Sequence, residues 1–128
     1  MKKYILTILA IYLFTSCEKQ ASHTYKITNT SSGTLKVVFK PTTDNSSTQT
    51  ITISSNQITD FYIDKLGTSR VSKYKQSGEY LTSFSVVDVF KNDTIKAKTI
   101  FLKTSSWAYK EVSRHSANYL VSISDNDF

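Results

Sequence analysis

The chain holds one cysteine, Cys17, and two histidines, His23 and His115. Neither histidine has a second cysteine or histidine at metal-ligand spacing, so each reads as a solvated side chain, His23 in a leading tether and His115 in a polar loop after Arg114. Serine is abundant, yet no G-x-S-x-G elbow occurs, and a Ser-His-Asp set would have to recruit one of these poorly placed histidines. Gly33, Gly67 and Gly78 are isolated, which excludes a glycine-rich phosphate loop. Asp60 and Asp64 fall on one predicted strand and one face, about 13 Å apart along the backbone, wide for an acid and base pair. Asp125-Asn126-Asp127 offers oxygen ligands without the glycine-bent loop of a calcium site and reads as a solvated tail. These residues lead to the expectation of no catalytic group, no metal and no cofactor.

Aromatics are the remaining chemistry. Tyr74, Tyr80, Trp107, Tyr109 and Tyr119 lie in the second half of the chain. Trp107 and Tyr109 share one face of a predicted strand, the arrangement of a platform that stacks against sugars. The packing of a small β-core calls for the same residues.

Cys17 takes its meaning from what surrounds it. Met1-Lys2-Lys3 is a short positive segment, and Tyr4 to Phe14 is apolar except for Thr7. As a helix that run would span roughly 16 Å, about half of a bilayer's hydrocarbon thickness, so it has the proportions of a signal-peptide core and not of a membrane span. Phe14-Thr15-Ser16-Cys17 then narrows from bulky to small and resembles the lipobox of bacterial lipoproteins. The resemblance implies cleavage of the Ser16–Cys17 bond, a diacylglyceryl group on the Cys17 thiol and acylation of its freed amine. The alternative is a secreted protein with a leftover thiol. Two or three acyl chains would anchor the domain stably, where one would not. Glu18, in place of the aspartate that often marks retention at the inner membrane, points to the outer membrane.

Loss of residues 1–16 removes Lys2 and Lys3 and lowers the formal charge from +6 to +4. A scattered lysine excess of this size reads as a solubilising surface and not as a nucleic-acid footprint. Its densest group is Lys65, Arg70, Lys73 and Lys75, which could face anionic lipid or acidic glycan. Residues 17–24 read as the lipidated cysteine and a polar tether reaching at most about 23 Å. Residues 25–128 form one domain that must hold together without disulfides.

From Tyr25 onward the pattern has a period of two. Strands are expected at Tyr25–Ile27, Leu35–Phe39, Ile51–Ile53, Phe61–Ile63, Phe84–Phe90, Thr94–Leu102, Trp107–Val112 and Tyr119–Ile123, with a further short one near Val71–Tyr74. Lys91-Asn92-Asp93 reads as a hairpin turn, and residues 65–82 as a long connection, the kind of segment that often carries function. About seven or eight short strands separated by Ser, Thr and Asn turns indicate an all-β fold, a single antiparallel β-sandwich of immunoglobulin-like architecture, with a small β-barrel as the alternative.

Two further resemblances rest on short motifs. Asp93-Thr94-Ile95 resembles the Asp-Ser/Thr-apolar acceptor for O-glycosylation in exported proteins of Bacteroidetes-type bacteria, which implies a sugar on Thr94; ordinary turn chemistry accounts for the same residues. Ser77-Gly78-Glu79-Tyr80 resembles the Ser-Gly-x-x-Tyr loop of membrane-bound lysozyme inhibitors. Its spacing is one residue short, and the lysine-glycine loop and disulfide of that family are missing. As a whole the chain is similar to the small, cysteine-anchored, Ser/Thr- and Tyr-rich lipoproteins of Bacteroidetes-type bacteria, a resemblance that implies location and no activity. The expected function is a non-enzymatic, membrane-anchored envelope module that binds a protein or a glycan and no nucleic acid, with inhibition of a host hydrolase such as lysozyme as the alternative.

Overall fold

The two-residue period appears as burial that alternates along each inner strand, with His23, Tyr25, Ile27 and Asn29 turned inward on one and Leu35, Val37, Phe39 and Pro41 on another. The computed structural model describes residues 18–43 and 47–128. Its strands are β1 (Ser22–Asn29), β2 (Leu35–Pro41), β3 (Gln49–Ile53), β4 (Ile58–Lys65), β5 (Phe84–Lys91), β6 (Ile95–Lys96), β7 (Ala108–Ser113) and β8 (Ser116–Ile123). They form two four-stranded sheets, ordered β4-β1-β8-β7 and β3-β2-β5-β6, packed face to face as a β-sandwich with no closed barrel. All pairings are antiparallel except β1 with β8, which run parallel from Ser22↔Ser116 to Asn29↔Ile123. A parallel pair cannot be closed by a tight turn, and here most of the domain forms the crossover.

Aromatic rings fill the space between the sheets. Tyr25 is stacked on Tyr119 with centroids 5.0 Å apart, and it meets Phe84 at 4.8 Å and Trp107 at 5.7 Å edge to face. Phe61 stacks on Phe84 at 5.6 Å and meets Phe39 edge to face at 5.0 Å. Such offset and edge-on pairs add roughly 0.5–1.5 kcal/mol each to the burial of their area, which is how a core without disulfides gains strength.

Four expectations change. The domain starts before residue 25: Ser22–Thr24 already belong to β1, and Ala21 is fully buried, its N–H bonded to the Gly67 carbonyl. The tether therefore ends near Gln20, whose side chain donates to the Leu66 carbonyl at 2.8 Å. Val71–Tyr74 is a 3₁₀ turn and not a strand; Val71 is buried against Ala21 and Ala117 and pins the segment. The run after the Asn92-Asp93 turn keeps strand geometry only at Ile95–Lys96. Beyond Ala97, which still donates to the Val89 carbonyl, Lys98 and Thr99 donate instead to the Asp127 carbonyl, so the C-terminal turn draws the chain off the sheet edge. Finally, Asp60 and Asp64 do not share a face. The register slips between Tyr25 and Lys26, where β4 carries the extra residue Phe61, so Asp60 pairs outward with Lys26 at 3.0 Å while Asp64 turns inward.

Candidate functional site

The connection from Leu66 to Ser83 crosses from β4 in one sheet to β5 in the other, over the end of the sandwich where β1 begins. Its main chain is tied to that end by hydrogen bonds between Leu66 and Ala21 and between Val71 and Arg114. Beneath it lies a buried polar cluster. Ser83 Oγ donates to Asp64 Oδ2 at 2.7 Å, and the same oxygen is 2.8 Å from the Tyr25 hydroxyl and 3.0 Å from Gln76 Nε2. A serine hydroxyl has one proton and two lone pairs. With the proton given to Asp64, Tyr25 and Gln76 both donate, and the Ser83 oxygen is saturated. Gln76 also presents its main-chain N–H to the Tyr119 hydroxyl at 2.7 Å and accepts from Thr82 through Oε1. Burial pushes the Tyr25 hydroxyl well above its usual range, so it holds its proton for this bond.

His23 belongs to the same region and is fully buried, contrary to its expected place in a solvated tether. Its ring meets Tyr119 edge-on at 5.1 Å and Tyr109 at 6.0 Å, and it stands opposite Asp64 in the β1–β4 register. Neither ring nitrogen has a partner in hydrogen-bonding geometry, although the neighbouring Val71 main chain favours the protonated form. Burial holds the His23 pKa below 6.5, against an opposing pull from the Asp64 carboxylate. A serine, a carboxylate, a histidine and two tyrosines are thus gathered in one place. As positioned, Ser83 gives its proton to the carboxylate and not to the imidazole, and Ser83, Asp64 and His23 are all buried. The geometry suits a polar tie that holds the connection down.

Trp107 is buried in the core, just before β7, with Nε1 donating to the Phe101 carbonyl at 2.8 Å and its ring against Tyr25 and Phe61. It offers no face to a sugar, so the stacking pair with Tyr109 is not formed. Tyr109 is half-buried between His23 and Tyr119, and Lys75 Nζ sits 5.1 Å from its ring centre. Asp125–Asp127 is solvent-exposed at Asp125 and Asn126, as expected, but forms an ordered 3₁₀ turn: Asp125 accepts from Lys91 at 2.7 Å and from the Ser32 N–H, and Asp127 accepts from Ser124 and from Thr99. Thr94 is exposed in the β5–β6 turn, where Asn92 and Asp93 take left-handed φ of 49° and 64°. Ser77–Tyr80 is exposed along its length and is held by Lys103, through a Tyr80 bridge and an ion pair to Glu79. His115 is half-buried in the β7–β8 turn. Cys17 and Ser16 lie outside the described residues.

A groove of about 360 Å³ lies elsewhere, along the edge of β5 beside residues 96–102, and its two charged side chains, Asp88 and Lys96, pair with each other at 3.0 Å. Among the described residues no three His, Cys, Asp or Glu side chains are gathered to hold a metal ion, and no helix is long and apolar enough to cross a membrane. Sequence reasoning missed Ser83, Gln76 and the burial of His23; the one available signal was the polar Asp64 flanked by apolar alternation. No family model, no curated protein and no solved structure matches the chain. Fold and site together define a small β-sandwich whose crossing connection is tied down by buried polar groups.

Proposed function

We propose that the protein is a lipid-anchored envelope lipoprotein whose sandwich is a non-enzymatic binding module. The observation that carries this is the solitary Cys17, set at the junction of an apolar run and a polar stretch, behind Phe14-Thr15-Ser16. The early start of the folded domain supports it, because a folded unit beginning at Ala21 leaves Cys17 at its threshold. Glu18 favours the outer membrane. The partner is a protein or glycan, met through the exposed rim of the connection and the outer sheet faces, where Ile58, Ile63 and Val112 are exposed.

Mass spectrometry of the protein from its native envelope tests the anchor. Diacylglyceryl-modified, N-acylated Cys17 at the new N-terminus is the expected result, and Cys17→Ala blocks both cleavage and palmitate incorporation. Unmodified Cys17, or normal labelling of the alanine variant, overturns the reading. The same spectra report on Thr94: its exposure supports a sugar there, and a bare Thr94 removes that assignment.

A second reading follows from the exposed Ser77–Tyr80 rim, which would contact a host hydrolase such as lysozyme. Loss of lysozyme activity in the presence of the protein, relieved by Tyr80→Ala, supports it; full activity at micromolar protein ends it.

A further inference from the structure

Around the start of β1 the fold assembles cations that are scattered in sequence. Lys19 precedes the first strand, Lys65 closes β4 opposite Ser22, Arg70 and Lys73 flank or lie in the 3₁₀ turn, and Arg114 sits in the β7–β8 turn bonded to Val71. All five are exposed. Arg70 pairs with Glu111 at 3.3 Å; among the described residues the other four have no carboxylate within ion-pair distance. At the opposite end Lys36 pairs with Asp93 and Lys91 with Asp125, and Lys98 stands alone there as an exposed cation with no carboxylate in ion-pair distance among the described residues.

We propose that this basic end is a membrane-docking surface that lays the sandwich, start of β1 downward, on anionic phospholipid headgroups. The inference rests on the lipid-anchor reading and adds an orientation to it. Gln20 is fastened to Leu66, so only Glu18 and Lys19 separate the fastened point from Cys17, three chain steps with a reach of about 10 Å. That equals the Debye length at moderate ionic strength, about 8–10 Å, so an anchored Cys17 keeps the unpaired cations where lipid charge is felt. A tether of the length expected from sequence, about 23 Å, would have let the domain drift beyond it. An acidic glycan would need no such closeness to the anchor, which is why the lipid is favoured.

The test uses the full-length protein isolated from its envelope and reconstituted into vesicles of phosphatidylcholine alone or mixed with phosphatidylglycerol. Hydrogen exchange at residues 66–75 and 113–116 slows in the anionic vesicles, the slowing is lost at high salt, and exchange at residues 92–94 is the same in both. Lys65→Gln with Lys73→Gln, both exposed side chains, removes the slowing by shifting the anchored domain roughly thirtyfold toward its undocked state, while the protein still floats with the anionic vesicles. Equal exchange in the two vesicle types, with the protein floating on both, overturns docking while leaving the anchor intact. Protein that floats on neither, with bare Cys17 by mass, overturns the anchor and this inference with it. Slowing by a soluble uronic-acid polymer but not by anionic vesicles assigns the surface to a glycan instead.

Discussion

The two ends of the sandwich solve the same problem, how to seal a sheet-on-sheet core, with different chemistry. At the far end the chain turns tightly and a neutral residue is the hub. Asn29 is fully buried; its amide donates to the Gly33 and Ile53 carbonyls at 2.8 and 3.0 Å, and its Oδ1 accepts from the N–H and hydroxyl of Ser31. Among the described residues the non-glycine positions with left-handed φ, Asn56, Asn92 and Asp93, lie in turns at this end, where their short polar side chains make that conformation tolerable. Gly33 is there for space: a Cβ would stand 2.5 Å from Asn92 Oδ1, which is itself engaged by the Thr34 N–H. At the near end a long connection is laid over the tight β7–β8 turn, and the hub is ionisable. The lesson is that the far end buries a neutral hub and keeps its titratable groups in surface ion pairs, whereas the near end carries a titratable group in its core and a cluster of mostly unpaired cations.

Several substitutions break or sharpen that contrast. Asn29→Ala strands two carbonyls and the Ser31 donors and lowers stability by about 3 kcal/mol, measured as a fall in the urea midpoint at unchanged slope and independent of pH. Ser83→Ala removes one link and leaves the Asp64 carboxylate and the Tyr25 hydroxyl short of a partner, at about 2 kcal/mol, with faster exchange concentrated in residues 76–83. If the serine variant proves the more damaging, the far end is not the tighter seal.

The pH response separates the ends next. The folded pKa of His23 lies below 6.5 because of burial, so the unfolded chain binds the extra proton as pH falls. Stability is therefore full above that value and declines as pH drops beneath it; the urea midpoint at pH about 5.5 lies below that at about 7.5. His23→Phe, which keeps a ring against Tyr119 and Tyr109, flattens this part of the profile. An unchanged slope in that variant would place the titration elsewhere. Smallest is Asp125→Asn at the far end. Lys91 and then Ser32 hold the Asp125 carboxyl below 3.8, so the exposed pair helps only above that pH and its help fades as acid protonates it. The variant shows a slight loss at neutral pH and none in strong acid.

Legibility in the sequence followed how local the physics was. The β2 alternation, the Asn92-Asp93 turn and the strong β5 run rest on neighbours two or three residues away, and each stands where the pattern puts it. The candidate site was harder to see. Ser22-His23-Thr24 is polar on its face and reads as tether, but β1 is flanked by β4 on one side and β8 on the other, and that double pairing is what buries His23. Trp107 and Tyr109 share a strand-like spacing, yet the turn before β7 aims the tryptophan at Tyr25. A single extra residue, Phe61, reversed the relation of Asp60 to Asp64.

By itself the sequence determined the all-β class and most strand positions, because backbone pleating imposes a two-residue period that side-chain polarity must obey. It also determined that Cys17 is the lone cysteine, the residue on which the proposed lipid anchor rests. Only the tertiary structure decided which polar residues are buried and which cations stand together. Those relations join residues such as Asp64 and Ser83, or Arg114 and Val71, far apart in the chain, and they exist only once the sheets have paired and the connection has been laid across them.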